Sequence, residues 1–139
     1  MDERNDQLLK AVVDEDLAAV KQLIQAGADV NYFSSRSNSP LLAAIDTMNV
    51  ELIRFLLDQG ANPNPDAQKG YTLPLNAAVD VAVQAFLTEE AASISNETVE
   101  LLVDYKADYT RRDKKGLNAA EMARNYNSVA GAYFSSLLS

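Results

Sequence analysis

Gly27-Ala28-Asp29-Val30-Asn31 recurs thirty-three positions later as Gly60-Ala61-Asn62-Pro63-Asn64, so the chain carries an internal repeat. A more degenerate copy, Lys106-Ala107-Asp108-Tyr109, stands in the second half of the chain. The residues that precede the three copies have apolar side chains at helical spacing, in segments 20–24, 53–57 and 99–103. Each copy therefore predicts a turn that ends a helix.

A second motif marks where another helix of each unit begins. Ser39-Pro40-Leu41-Leu42-Ala43-Ala44 matches Leu73-Pro74-Leu75-Asn76-Ala77-Ala78, thirty-four positions on. Because the first turn of a helix leaves its N–H groups without helical partners, proline is tolerated there and is costly deeper inside. A fourth unit starts at Asp113, with Ala119 in the position of the prolines. The pattern thus predicts two helices in each unit.

The period of about 33 residues, the Pro-Leu opening and the Gly-Ala-Asp-Val-Asn ending together resemble the ankyrin repeat. The resemblance covers roughly residues 5–127. It implies a single all-α domain over residues 1–139, an ankyrin-repeat solenoid of about four helix-turn-helix repeats. The expected repeats span about 5–33, 34–66, 67–112 and 113–139. The first and last are expected to be caps, since the ends of a solenoid must expose an outer face.

The chain departs from the ankyrin pattern in several places. No repeat carries the family's histidine, and the residues in its place are Leu9, Leu42, Asn76 and Glu121. The hydrogen bonds that this histidine makes between repeats are therefore replaced or missing, and we expect modest stability. Repeat three has about a dozen extra residues, which we interpret as extra turns of its first helix up to Leu87 and a new helix start at Asn96. We expect a lengthened helix pair there, and a weak second helix in repeat four.

The charge balance and the missing residue types disfavour several classes of function. The 139 residues include 20 acidic and 12 basic ones, and the net charge of −8 disfavours nucleic acid and anionic membranes as partners. No apolar run approaches the roughly 20 residues of a membrane span, and the first residues do not resemble a secretory signal. There is no cysteine and no histidine. We expect a cytoplasmic protein.

No motif in the sequence indicates an enzyme site. There is no G-x-S-x-G motif, no glycine-rich phosphate loop and no carboxylate spacing typical of a metal loop. We therefore expect no catalytic residues, no metal ligands and no cofactor. The alternative is a small enzyme that uses only carboxylates and hydroxyls, since 20 acidic residues are present.

The resemblance implies that the ends of the first helices form a partner-binding face. Two adjoining positions there line the concave side of ankyrin stacks, and one of them holds Val13, Asp46, Asp80 and Asn125. The other holds Asp14, Thr47, Val81 and Tyr126. From these columns we predict partner contacts by Asp14, Asp46, Thr47, Asp80 and Tyr126. The alternative is that the carboxylates are simply solvated, because acidic residues are abundant throughout the chain.

The turns between repeats form finger loops in the ankyrin family, and here their composition is basic and aromatic. We predict further partner contacts from Arg36, Asn38, Lys69, Tyr71, Lys114 and Lys115. Tyrosine and arginine are favoured in interfaces because they add contact area and fixed donors at a limited entropy cost. The basic run at residues 111–115 does not by itself predict nucleic-acid binding, since no aromatic stacking platform accompanies it.

These features predict a non-enzymatic protein–protein interaction module that binds another protein, of basic character, through the concave face and the finger loops. We expect the free chain to be a monomer. The free-standing length and the charge of −8 favour an inhibitor, or an immunity or antitoxin protein, that blocks a basic enzyme. A scaffold or regulatory adaptor protein is the alternative.

Overall fold

The computed structural model describes residues 3–34, 39–65, 72–88 and 96–138, and the regular secondary structure in these ranges is helical. The chain divides into two compact units, Met1–Asn62 and Pro63–Ser139. The first unit contains α1 (Glu3–Val13), α2 (Leu17–Gln25), α3 (Pro40–Thr47) and α4 (Val50–Asp58). The second contains α5 (Pro74–Leu87), α6 (Glu97–Asp104), α7 (Ala119–Tyr126) and α8 (Ser128–Leu137). The prediction of an all-α fold built from paired helices is confirmed.

Polar side chains define where the helices of the first unit begin. Pro40 is the first residue of α3, as its motif predicts, and the Ser39 hydroxyl accepts a hydrogen bond from the Leu42 N–H at 3.2 Å. Asp16 and Asn49 cap α2 and α4 in the same way, each accepting from a backbone N–H at 3.1 Å. These caps satisfy N–H groups that a helix start leaves unpaired, so short helices have defined ends.

Aliphatic side chains form the core of the first unit. The most deeply buried include Leu8, Val12, Val20, Ile45, Leu52, Ile53 and Leu56. Leu56 and Leu102 stand at equivalent positions of successive repeats and are both 0% exposed, whereas Leu23 at the same position of repeat one is less buried. Leu23 is only half-buried, because it lines an open groove formed by α1 and α2.

Part of the lengthening of repeat three lies in its first helix, and residues 89–95 lie outside those that the structure describes. α5 spans 14 residues and ends at Leu87, whereas α3 spans eight. Pro74 is the first residue of α5, and α6 begins directly after Asn96, both as predicted. The extra turns therefore extend α5, while α6 has eight residues.

The second helix of repeat four was expected to be weak, and the structure contradicts this expectation, because α8 runs for ten residues. Asn127 caps α8 by accepting hydrogen bonds from the N–H groups of Val129 and Ala130 at 2.8 and 3.1 Å. Gly131 allows α8 to approach α7, since a Cβ at this position would lie 2.7 Å from the Cα of Arg124. The glycine that lowers the helix propensity is thus required by close packing.

Asparagine replaces the missing histidine at one joint between repeats. Asn76, which stands in the histidine position, is buried, and its Nδ2 donates to the Leu117 carbonyl at 3.2 Å. Leu42, in the same position one repeat earlier, is also buried but has no polar group to donate. Glu121 instead forms a capping box with Asn118 at the start of α7. The side-chain bond is therefore replaced in repeat three and missing in repeat two.

Candidate protein-interaction surface

Large apolar side chains that reach the solvent occur at or near the end of the first helix of each repeat, and Tyr109 in the turn after α6 is a further exposed one. Five of them are 41–62% exposed, namely Val13, Met48, Leu87, Tyr126 and Val129. Val13, Leu87 and Tyr126 are the last residues of α1, α5 and α7. Met48 directly follows α3, and Val129 is the second residue of α8, three residues after the end of α7. We call these side chains and the carboxylates beside them the helix-end surface, defined for each unit separately. In unit 1 it comprises Val13, Asp14, Glu15, Asp46 and Met48, and in unit 2 Asp80, Leu87, Tyr126 and Val129.

Two turns with the same backbone conformation build the helix-end surface of unit 1. Glu15 and Met48 have φ angles of +57° and +60°, in the left-handed region that few residues other than glycine adopt. The Asn49 side-chain amide donates to Oε1 of Glu15 at 3.1 Å, which joins the turn after α1 to the turn after α3. α1 also packs against α3. Val13, two residues before Glu15, therefore lies on the same side of unit 1 as Met48.

The three residues predicted to bind a partner in unit 1 have different surroundings. Asp14 and Asp46 are exposed, so their carboxylates are accessible to a partner. Thr47 is half-buried, and its hydroxyl donates to the Ala44 carbonyl at 2.6 Å and accepts from the Asn49 N–H at 3.2 Å. The Thr47 hydroxyl thus stabilises the turn, and its single donor is already used.

In unit 2 the predicted residues Asp80 and Tyr126 contact each other across α5 and α7. The Tyr126 hydroxyl forms a hydrogen bond with the Asp80 carboxylate, which is the main reason why the pKa of Tyr126 lies above its usual value of 10.0. Burial and the charge of Asp80 raise this pKa further, and a hydrogen bond with Gln84 opposes them. Oδ1 of Asp80 is buried and finds no hydrogen-bond partner in the described ranges. Asp80 is therefore not an open carboxylate, and instead it orients Tyr126, which stays 46% exposed.

Asp113 organises the finger loop that leads into repeat four. Its Oδ1 accepts hydrogen bonds from the N–H groups of Lys115 and Leu117 at 2.8 and 3.0 Å. Gly116 adopts a φ of +78° in the same turn, and Lys114 and Lys115 are exposed at the tip. The other predicted finger residues, Arg36, Asn38, Lys69 and Tyr71, lie outside the residues that the structure describes.

Apart from Tyr126, the apolar part of the helix-end surface was not predicted from the sequence. Met48, Leu87 and Val129 are absent from the predicted contacts, because those contacts were chosen from acidic columns and polar loops. A usable signal was present, since Met48 stands in a short turn between two helices, where polar residues are the rule. An apolar side chain in such a turn is either part of the core or part of a surface that another molecule covers.

Two other kinds of site are not found in the part of the chain that the structure describes. No group of three or more acidic side chains in that part is arranged to hold a metal ion. No helix there combines the length and the apolar character needed to cross a bilayer.

Known proteins with similar sequences support the repeat interpretation. A family model described as ankyrin repeats, in three copies, matches residues 8–113. The mouse protein named ankyrin repeat, SAM and basic leucine zipper domain-containing protein 1 is 31% identical over 108 residues, which cover 78% of this chain and 21% of that protein. The protein of the same name from Notamacropus eugenii is 32% identical over 107 residues, which cover 77% of this chain and 21% of that protein. An ankyrin repeat protein of fowlpox virus (strain NVSL) is 29% identical over 116 residues, which cover 81% of this chain and 17% of that protein. The chain thus spans about a fifth of the length of these relatives.

Proposed function

Because this chain belongs to the ankyrin repeat family, whose repeats are generally non-enzymatic protein–protein interaction modules, we propose that it binds a partner protein through its helix-end surfaces. The observation that carries the proposal is the recurrence of an exposed apolar side chain at the end of the first helix of each repeat, namely Val13, Met48, Leu87 and Tyr126. Single exposed apolar residues are normal on any protein surface, but their concentration at one position is typical of an interaction site.

The helix-end surface of unit 1 fits a partner surface that is both apolar and basic. Val13 and Met48 supply exposed apolar area, and the exposed carboxylates of Asp14 and Asp46 lie beside them. An apolar centre with a charged rim is the common arrangement of protein interfaces. The net charge of −8 also attracts a basic protein during the diffusional encounter, which raises the association rate.

Tyr126 is the residue of unit 2 best suited to act as an anchor. Tyrosine is frequent among the few interface residues that dominate binding energy. The hydroxyl of Tyr126 is already held by Asp80 and Gln84 on α5, so the ring is oriented before a partner arrives. Less side-chain freedom is then lost on binding, which favours a slowly dissociating complex.

A sharper form of the proposal is that binding neutralises a basic enzyme, as an inhibitor or an immunity or antitoxin protein does. Its support is the acidic net charge of the chain. The adaptor alternative is supported by the relatives, whose names combine ankyrin repeats with SAM and basic leucine zipper domains. Adding the chain to the purified partner separates the two hypotheses, since loss of the partner's activity supports neutralisation and unchanged activity supports an adaptor.

The proposal is tested by affinity capture from the native source, with three tagged versions of the full chain compared by quantitative mass spectrometry. The helix-end variant carries Asp46→Lys and Met48→Asn, since asparagine tolerates the left-handed backbone at position 48. The control carries Glu51→Lys at an exposed position of α4, with the same charge change as Asp46→Lys. Exposed positions usually tolerate substitution within about 0.5 kcal/mol, so we expect all three versions to fold.

We expect at least one protein that the wild type and the control capture equally and that the helix-end variant captures about tenfold less. Equal capture by the helix-end variant, or loss of capture in the control alone, contradicts the proposed location of the binding site.

A further inference from the structure

We propose that a second copy of this chain docks on the open side of repeat one and forms a two-fold symmetric dimer. The docking surface is a groove of about 470 Å³ between α1 and α2, lined by Gln7, Lys10, Ala11, Asp14, Ala19 and Leu23 among others. This interaction does not rest on partner binding by the helix-end surface, although the two surfaces share Asp14, so a bound partner and a second copy compete for this carboxylate.

The shape of the groove suits a helix from another molecule. Ala11, Ala19 and Ala26 line it with small side chains, which allow close approach of a second helix. Leu23 lines the same groove and is only half-buried, so its burial can still increase. Covering this apolar area gives the association a hydrophobic driving force.

At the groove, a hydrogen bond of the kind found at the joints between repeats is made within repeat one itself. At those joints an asparagine of the preceding turn accepts from a backbone N–H, as Asn31 does from Asn62 at 2.7 Å. The equivalent N–H in repeat one belongs to Asp29, and it donates to Oδ1 of Asn5 on α1 at 2.8 Å. Arg4 of α1 also donates to the nearby Ala26 carbonyl. The Asp29 N–H, which is equivalent to the N–H bonded at an internal joint, is therefore already occupied.

Lys10, Asp14 and Asp16 are the charged residues of the groove lining. Asp16 caps α2 by accepting from the Ala19 N–H, and Lys10 and Asp14 are complementary to a second copy of the same groove. The Asp14 N–H donates to the Lys10 carbonyl at 2.9 Å, so these two residues lie one helical turn apart on the same face of α1. Both are exposed, and both line the groove. When two α1 helices pack antiparallel about a two-fold axis, Lys10 of each copy faces Asp14 of the other. A two-fold interface repeats each contact, so two ion pairs form.

This inference departs from the expectation, made from the sequence, that the free chain is a monomer. The sequence placed Asp14 only in the acidic column of the first helices. Its neighbour Lys10 became relevant once the structure showed the two side chains lining one groove.

The proposal is tested by sedimentation equilibrium of the full chain at about 0.15 M ionic strength, where the long-range repulsion between two chains of net charge −8 is screened, with the variants Lys10→Glu and Asp14→Lys. In each variant alone the two-fold axis brings like charges together, so we expect dimerisation to weaken about tenfold or more. In an equimolar mixture, the introduced glutamate of one chain faces the introduced lysine of the other, and the retained Asp14 faces the retained Lys10. We therefore expect the mixture to recover dimers that neither variant forms alone, all of them containing one chain of each kind.

The mixture serves as an internal control for folding, because misfolded variants do not regain association when combined. Three results each overturn the proposal: a monomeric wild type at the highest soluble concentration, single variants that dimerise like the wild type, or a mixture that stays monomeric. The Asp46→Lys and Met48→Asn variant lies outside the groove and is expected to dimerise normally, so failure here is distinguishable from failure of the partner-binding proposal.

Discussion

Asn64 links the turn of its own repeat to the turn of the next through Asp108, because its Oδ1 accepts a hydrogen bond from the Asp108 N–H at 2.7 Å. The same side chain donates from Nδ2 to the Lys106 carbonyl at 2.8 Å. Asn31 makes the equivalent pair of bonds with Asn62 and Gly60, at 2.7 and 3.1 Å. The asparagine that ends each pentapeptide is therefore the residue that joins consecutive turns.

Replacing Asn64 by alanine should lower the free energy of unfolding by about 1–2 kcal/mol, since two hydrogen bonds are lost at a partly exposed site. Urea denaturation followed by circular dichroism measures the change. The matched control is Asn125→Ala at an exposed position of α7, where we expect a change within about 0.5 kcal/mol. Equal effects of the two substitutions would argue against a linking role for Asn64.

Several features of the fold were predictable because they depend on local chemistry. The prolines of the second motif place the starts of α3 and α5. Asn96 directly precedes α6, but its side chain makes no cap hydrogen bond and instead donates to Oε1 of Glu100 at 2.9 Å. The role of Asn5 was not predictable, because it lies inside α1 and becomes an equivalent of Asn31 only through packing. The burial of Asp80 likewise depends on how α5 packs against α7, which no local pattern specifies.

Lys106→Gly should stabilise the chain by about 0.5–1 kcal/mol. Lys106 has a φ of +73°, at a position where the first two repeats have Gly27 and Gly60, at +104° and +95°. A side chain costs roughly 1–2 kcal/mol in this conformation, and the extra freedom of glycine in the unfolded chain offsets part of the gain. Thermal denaturation measures the change.

The reverse substitution, Gly60→Ala, should destabilise by about 1 kcal/mol. A Cβ at Gly60 meets nothing within 4 Å, so the loss reports the backbone conformation alone. If Lys106→Gly destabilises the protein, the left-handed assignment at position 106 is wrong.

Truncation of the aligned leucines should follow their burial. Leu56→Ala and Leu102→Ala remove fully buried side chains, and each should cost about 2–5 kcal/mol. Leu23→Ala should cost about half as much or less, since its side chain is already partly in water. Guanidinium denaturation of the three variants gives the values, and an equal loss at Leu23 would indicate that the groove is closed in solution.

Asp108 should titrate below its usual range. The Thr110 hydroxyl donates to the Asp108 carboxylate at 2.6 Å, and the Thr110 N–H donates to it at 2.9 Å. These bonds lower the pKa of Asp108 from 3.8, and the charge of Arg111 adds a smaller contribution in the same direction, although burial opposes it. A lowered pKa means that this carboxylate contributes stability above pH 3.8 and that the contribution disappears as the pH falls through the folded-state pKa. Thr110→Val should raise the pKa, as measured by carboxyl carbon NMR. An unchanged pKa in this variant would remove the hydroxyl as the main cause.

A control substitution for the binding experiments should change a charge on a second helix without removing another contact. Lys21 on α2 has its ammonium group 5.5 Å from the centroid of the Phe55 ring, so reversing its charge also removes a cation–π contact. Glu51 and Arg54 are exposed on α4 and are better suited to test the outer face.

The central claim, that a partner binds the helix-end surfaces, is tested most directly by measuring binding kinetics of the captured partner with surface plasmon resonance. We predict that Asp46→Lys slows association by about tenfold at low ionic strength, because it reverses a charge that steers the encounter. We predict that Tyr126→Ala instead speeds dissociation, because it removes an oriented anchor. Glu51→Lys should leave both rates unchanged. If Glu51→Lys abolishes binding while Asp46→Lys and Tyr126→Ala bind like the wild type, the partner docks on the outer helices and the claim is contradicted.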